Sequence, residues 1–269
     1  MAIAALYPST KPSLLLDFAN TKTLDPRITF SRASTATYYD GKTFAKAEEN
    51  LLSYSQEFDN AAWNKTNTTV TANATTAPDG TSAADKVVAT ATTGYHGVNS
   101  SNANVVSGVT YTVSIHVKAA EYTKLYISEF GWAYFACSFD LVAGTAGTPV
   151  GGATSKTASI VNLGNGYYRC SITFTASATS TASVGFIGYP DTGATLGAYG
   201  AQYTGDGTSG IYIWGAQLEQ RSSATAYTPT TSQPITNYIP VLQTAASGVA
   251  RFDHNPTTGE SLGLLIEEQ

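Results

Sequence analysis

The side chains in this sequence with the most binding chemistry to offer are aromatic, and the best placed lie in Phe130-Gly-Trp-Ala-Tyr134. Trp132 sits beside Gly131 in a stretch connecting two alternating runs, and Tyr134 follows two residues later. A flat ring held in a turn offers an apolar face to the C–H-rich face of a sugar, while nearby polar groups fix its orientation. Tyr199 and Tyr203, in the glycine-rich stretch 193–210, are the next candidates of this kind. Trp132, Tyr134, Tyr199 and Tyr203 are therefore the expected ligand-binding residues. The competing expectation is that these rings pack on the core or between subunits.

Acid–base and nucleophilic chemistry find less support. Glycoside hydrolysis needs two carboxyl groups about 5–10 Å apart. Glu121 and Glu129 flank one alternating run at an even separation, but surface charge is the simpler expectation for both. Asp79, Asp191 and Asp206 each adjoin Gly, Pro or a further turn residue and read as turn formers. The three histidines are His96, His116 and His254, and no serine stands in a Gly-x-Ser-x-Gly elbow. His116 falls on the polar face of its run and is expected to be solvated, and His254 to make structural hydrogen bonds in a turn. Cys137 and Cys170 fall on apolar faces and are expected to be free and buried; with scattered histidines they offer no zinc spacing. The chain reads as a non-enzyme without a cofactor.

Composition describes the elements that must carry these residues. Charged residues make up 12% of 269, about half the usual share of roughly 25%, yet 42% are hydrophobic and there are 17 Tyr, 10 Phe and 3 Trp. A disordered chain would show the opposite balance. The polar surface must come from Thr, Ser, Asn and Gly, which suit strands and turns. Alternating or apolar strand signals recur at Leu14–Phe18, Arg27–Ser31, Asp85–Thr92, Thr110–Lys118, Lys124–Phe130, Ala133–Leu141, Ala158–Leu163, Tyr167–Thr175, Ser183–Tyr189 and Ile211–Leu218. Gly164-Asn-Gly166 between two of them is a hairpin signal. The best helical stretch is Lys46–Ser53, a turn or two. Many short strands between such turns predict an all-β protein with an antiparallel, jelly-roll-like sandwich. Composition shifts place the sandwich at 49–229, between segments 1–48 and 230–269. A net charge of −5 without a Lys/Arg cluster argues against nucleic acid. No apolar run reaches the roughly 18 residues of a membrane helix. The N-terminus is a poor secretion signal, so synthesis in a cytoplasm is expected.

Three segments carry a family resemblance. Glu49-Asn-Leu-Leu-Ser-Tyr-Ser-Gln-Glu-Phe-Asp-Asn-Ala-Ala-Trp63 is similar to the opening of the carbohydrate-binding-module-like domains of phage fibre proteins. Asn165-Gly-Tyr-Tyr-Arg-Cys170 resembles their hairpin, with Tyr167 where Trp is commoner. Ile213-Trp-Gly-Ala-Gln-Leu-Glu219 with Ala226-Tyr-Thr-Pro-Thr230 resembles their closing strand and exit. The order matches, over about two-thirds of the chain. Within this pattern Trp63 and Trp214 are framework residues. Such sandwiches often hold one Ca²⁺, and Glu57, Asp59 and Asp79 are the available side chains, but nothing fixes a metal site. In the flanks, Leu16–Asn20, Asp25–Tyr38 and Arg251–Glu268 resemble pieces of one fibre-associated module that here would be split by the sandwich.

The resemblance implies a virion protein made in the host cytoplasm, a head or tail fibre or spike subunit, assembled as a homotrimer. Its implied partners are other capsid or tail proteins and a host-surface glycan. Leu14, Leu16, Phe18, Ile28 and Phe30 are the expected contacts with the particle or neighbouring chains. Relatives continue beyond a segment like Leu265–Gln269, so a longer fibre is expected. The alternatives are a secreted or surface carbohydrate-binding protein and the non-catalytic part of a glycan depolymerase.

Overall fold

A computed structural model describes residues 18–100, 103–129, 135–197 and 200–266. The chain divides into two compact units, one built from 1–47 and 237–269 and the other from 48–236. Among the described residues the regular secondary structure is all strand, apart from one helical turn, α1 (Phe18–Thr21).

In chain order the strands are β1 (Ala36–Asn50), β2 (Trp63–Thr66), β3 (Thr68–Thr75), β4 (Ala84–Ala89), β5 (Thr93–Tyr95), β6 (Gly97–Ser100) and β7 (Ala103–Val105). They continue as β8 (Thr110–Ala119), β9 (Lys124–Glu129), β10 (Ala136–Asp140), β11 (Thr145–Ala146), β12 (Lys156–Gly164), β13 (Tyr167–Thr175) and β14 (Ser180–Ala182). The last are β15 (Val184–Tyr189), β16 (Thr195–Gly197), β17 (Gly200–Thr204), β18 (Gly210–Glu219), β19 (Ile235–Ala245), β20 (Phe252–His254) and β21 (Ser261–Leu264).

Two six-stranded antiparallel sheets make the larger unit, in the orders β11-β10-β9-β15-β6-β2 and β12-β13-β8-β18-β4-β3. Period-2 alternation aims Leu125, Ile127, Cys137, Phe139, Val184 and Phe186 of the first sheet at Tyr111, Val113, Ile115, Cys170, Ile172 and Phe174 of the second. This is the interior of an antiparallel sandwich, the expected class. Asn165 and Gly166 close the β12–β13 hairpin at φ of 51° and 80°, the paired positive values that a tight β-turn requires. In β18 the alternation breaks at Gly215, whose φ of 62° takes up a bulge between Trp214 and Gln217. Ile211 and Ile213 before it, and Ala216 and Leu218 after it, therefore all face inward.

Part of each outer face is covered. On the first sheet, Tyr126, Ile187 and Tyr189 pack beneath Ala201 and Tyr203 of β17, and the Tyr126 hydroxyl donates to Gly197 O at 2.8 Å. On the second, Trp214 and Tyr167 pack with Ala77, Ala84 and Tyr227. His116 is buried there, against the expectation of a solvated ring. Its Nδ1 lies 3.3 Å from Gly215 O, with the rings of Trp214 and Tyr227 edge-on at 5.0 and 5.7 Å. Alternation identified its face correctly; the covering chain came from distant sequence.

In the smaller unit segments from the two halves of the chain, 18–39 and 251–264, meet. Tyr39 N donates to Asp253 Oδ1 (2.8 Å), Arg251 Nη1 to Thr37 O (2.7 Å), and Phe18 packs on Phe252 with centroids 6.2 Å apart. β20 pairs with β21, and β1 with β19. Two expectations are corrected here. Arg27–Ser31 is not a strand, because Asp25 accepts from both Arg27 N (3.0 Å) and Nε (2.8 Å) and Ile28 N bonds Asp25 O (2.8 Å), which curls the chain into a turn. Lys46–Ser53 is not helical: β1 runs to Asn50, whose side chain then fixes a bend. The Leu14–Phe18 signal lies outside the described residues except for Phe18, which begins α1.

Candidate functional site

The three segments that stand out in the sequence come together along β18 and residues 225–230. Asn50 is fully buried and its amide makes four hydrogen bonds. Nδ2 donates to Ala216 O and Thr228 O, both at 2.9 Å, and Oδ1 accepts from Leu52 N (3.1 Å) and Leu218 N (3.2 Å). Thr230 Oγ1 donates to Leu52 O (2.6 Å), and the Tyr227 and Ser55 hydroxyls share a 2.6 Å bond. Gln217 and Glu219 point outward from β18 yet are buried, because residues 225–228 lie over them. Thr228 N donates to Gln217 Oε1 (2.7 Å), and Thr225 N to Glu219 Oε1 (2.9 Å). From the hairpin, Arg169 reaches the Thr225 carbonyl with Nη1 and Ser114 Oγ (2.9 Å) with Nη2. These motif residues hold the fold closed.

Of the expected ligand residues, Trp132, Tyr134 and Tyr199 lie outside the described residues. Tyr203 is described, and it is 5% exposed. Its hydroxyl donates to Gly188 O at 2.6 Å, its ring stacks on His96 at 4.3 Å, and Tyr122 meets it edge-on at 5.6 Å. Burial raises its phenol pKa. Tyr203 is thus a core residue and not an exposed platform, because β17 pairs with β5 and is drawn down over the first sheet.

The carboxylates do not form a reactive pair. Glu121 binds Lys86 at 2.8 Å, while Glu129 is fully buried and accepts from Ser183 N at 3.0 Å. Glu121 stands in the bend before β9 and Glu129 at its far end, with different partners, so the two do not face each other as a glycosidase pair. Asp206 caps its own turn through Thr208 N and Ser209 N, and Asp79 does so through Thr81 N. His254 donates from Nδ1 to Tyr39 O at 2.9 Å. Among the described residues no cluster of His, Cys, Asp and Glu is arranged to hold a metal. Cys137 and Cys170 are buried free thiols, and burial pushes the Cys137 thiol up to about 11.

The sandwich surface offers one groove with a regular chemical pattern, about 440 Å³ alongside the β12–β13 hairpin. Register pairs Thr157 with Thr173, Ser159 with Ser171, and Val161 with Arg169. One wall of hydroxyls thus meets a half-buried guanidinium and the exposed Val161, with Ser222–Ala224 on the other side. Such an array can hydrogen-bond an extended, hydroxyl-rich ligand or a neighbouring strand. The Thr/Ser alternation was visible in the sequence, but nothing there showed that a distant loop would wall it. Compared with known proteins, the chain matches no family model and no curated protein.

Proposed function

We propose that the chain is a non-enzymatic subunit of a phage fibre or spike, whose sandwich engages a host-surface glycan and whose terminal unit attaches it to other virion proteins. The observation that supports this best is the insertion. A complete sandwich is carried between the two halves of a unit formed from both ends of the chain, as a display domain would be. The convergence of Asn50, Arg169 and Tyr227 is also in keeping with the resemblance, since it gives each shared motif a structural task. The hydroxyl-lined groove beside β12 is the described surface best suited to a glycan, and Trp132, Tyr134 and Tyr199 remain the proposed stacking rings.

Several identical chains around an axis would bury edge strands such as β3 that otherwise template aggregation, so a homotrimer is the proposed assembly. Light scattering of the purified chain is expected to give three times the monomer mass, and a reconstruction of intact particles a cyclic cluster of this chain. A monomer at micromolar concentration together with particles lacking the chain would reject the reading. In polysaccharide binding, Trp132→Ala is expected to weaken affinity about tenfold, close to what one lost aromatic contact is worth.

A further inference from the structure

The smaller unit contains a pocket that has no part in the reading above. Its volume is about 400 Å³, within the range of small-ligand sites, and residues 28–34, Arg251 and 264–266 line it. Arg32 lies in its wall and is 9% exposed. Its Nη2 donates to three carbonyls, Ala246 O at 2.7 Å, Val249 O at 3.2 Å and Ala245 O at 3.3 Å. That fixes the guanidinium in place. Its Nε and Nη1 are equally buried but have no hydrogen-bond partner, and no carboxylate among the described residues pairs with it. Three N–H donors and a full positive charge are therefore withdrawn from water without an acceptor. A buried charge left this way is costly, and an anion in the pocket would relieve the cost. Arg251, 2% exposed and held by its bond to Thr37 O, puts a second guanidinium in the same wall.

The remaining wall decides which anion. Ile28, Phe30, Leu264, Leu265 and Ile266 give it an apolar side that a phosphate, hydrophilic all round, would leave unused, next to a polar side carrying the hydroxyls of Thr29, Ser31 and Ser34. We propose that Arg32 and Arg251 frame a binding pocket for a carboxylate borne on a compact apolar group, either a free acid or an acidic residue beside an apolar one in a polypeptide. The seven basic and seven acidic residues in the segments forming this unit balance, whereas the sandwich carries the whole net charge of −5. An incoming anion therefore meets no net repulsion from this unit.

The test uses the full chain labelled with ¹⁵N, following the Arg32 Nε–H resonance. The probes are 3-methylbutanoate, its neutral amide, inorganic phosphate and the peptide acetyl-Leu-Glu-Leu-amide. The acid or the peptide is expected to shift the resonance saturably, with the amide and phosphate at least tenfold weaker; whichever of the two binds tighter identifies the source. Arg32→Lys should weaken binding at least tenfold. Because Arg32 also holds the 245–249 turn, a second variant leaves that bond intact. Ile266→Asp, at a side chain 78% exposed on the rim, should abolish binding without lowering the melting temperature. Equal binding of acid and amide, phosphate binding as tight as the acid, or an unmoved Arg32 resonance at the solubility limit would overturn the proposal.

Discussion

At the scale of single residues, the sandwich hides ionisable groups that its sequence presents as surface. His116 is the clearest. Desolvation, with Arg169 adding repulsion, lowers its pKa from 6.5 to about 4. Above pH 6.5 the ring is neutral whether the chain is folded or not. Between 6.5 and 4 the unfolded chain takes up a proton that the folded chain refuses, so stability falls as the pH drops through that window. The whole loss is about 3 kcal/mol, at about 1.4 kcal/mol per unit, and no more is lost below pH 4. Denaturant unfolding at pH 7 and pH 4.5 should show a difference that largely disappears in His116→Gln; an equal pH dependence in the variant would refute the assignment. The two thiols offer a second check. Burial holds both pKa values up, that of Cys170 well above 9, so neither should react with a thiol reagent at pH 8 until the protein unfolds, when both should.

At the scale of elements, the closing contacts depend on one amide. Removing the Asn50 side chain leaves the Ala216 and Thr228 carbonyls and the Leu52 and Leu218 N–H groups without their partner in a dry site. At 1–3 kcal/mol for each group left unsatisfied, offset in part by relaxation, Asn50→Ala should cost about 4 kcal/mol and lower the melting temperature by at least 8 °C. A shift under 2 °C in a thermal melt would show that the segments hold together without it. The strands whose alternation is strict are legible in the sequence: β13 lies at the residues expected, and β8, β15 and β18 within a residue or so at each end. β1 and β19 are not, because Tyr38-Tyr-Asp-Gly-Lys and Asn237-Tyr-Ile-Pro have no regular period and each strand is made by the other. The burial of His116 and Tyr203 is hidden for a related reason. Alternation tells which residues share a face but not whether a remote segment, here 225–228 or β17, will cover that face. Arg32 could not have been singled out from Arg27 by sequence, since only the fold leaves one at the surface bonded to Asp25 and the other buried.

At the scale of the whole molecule, what matters is how one folding unit can interrupt another. Insertion is tolerated when the inserted unit begins and ends at neighbouring points, because the host chain then sees little more than a long loop. The sandwich meets this condition: Thr236 Oγ1 lies 3.5 Å from Glu49 Oε1, and Leu51 N bonds Leu218 O at 2.8 Å. Its core closes with its own residues, from Leu52 and Phe58 to Leu218, and the clamp on Asn50 draws only on residues 52–228. A fragment spanning 48–236 should therefore fold alone, with one cooperative melting transition within about 5 °C of that seen for the sandwich in the full chain, since no core contact is removed. A fragment that melted without cooperativity, or exposed Trp63 to quenching at room temperature, would mean that the terminal segments are needed to close the sandwich, and the chain would then be one folding unit.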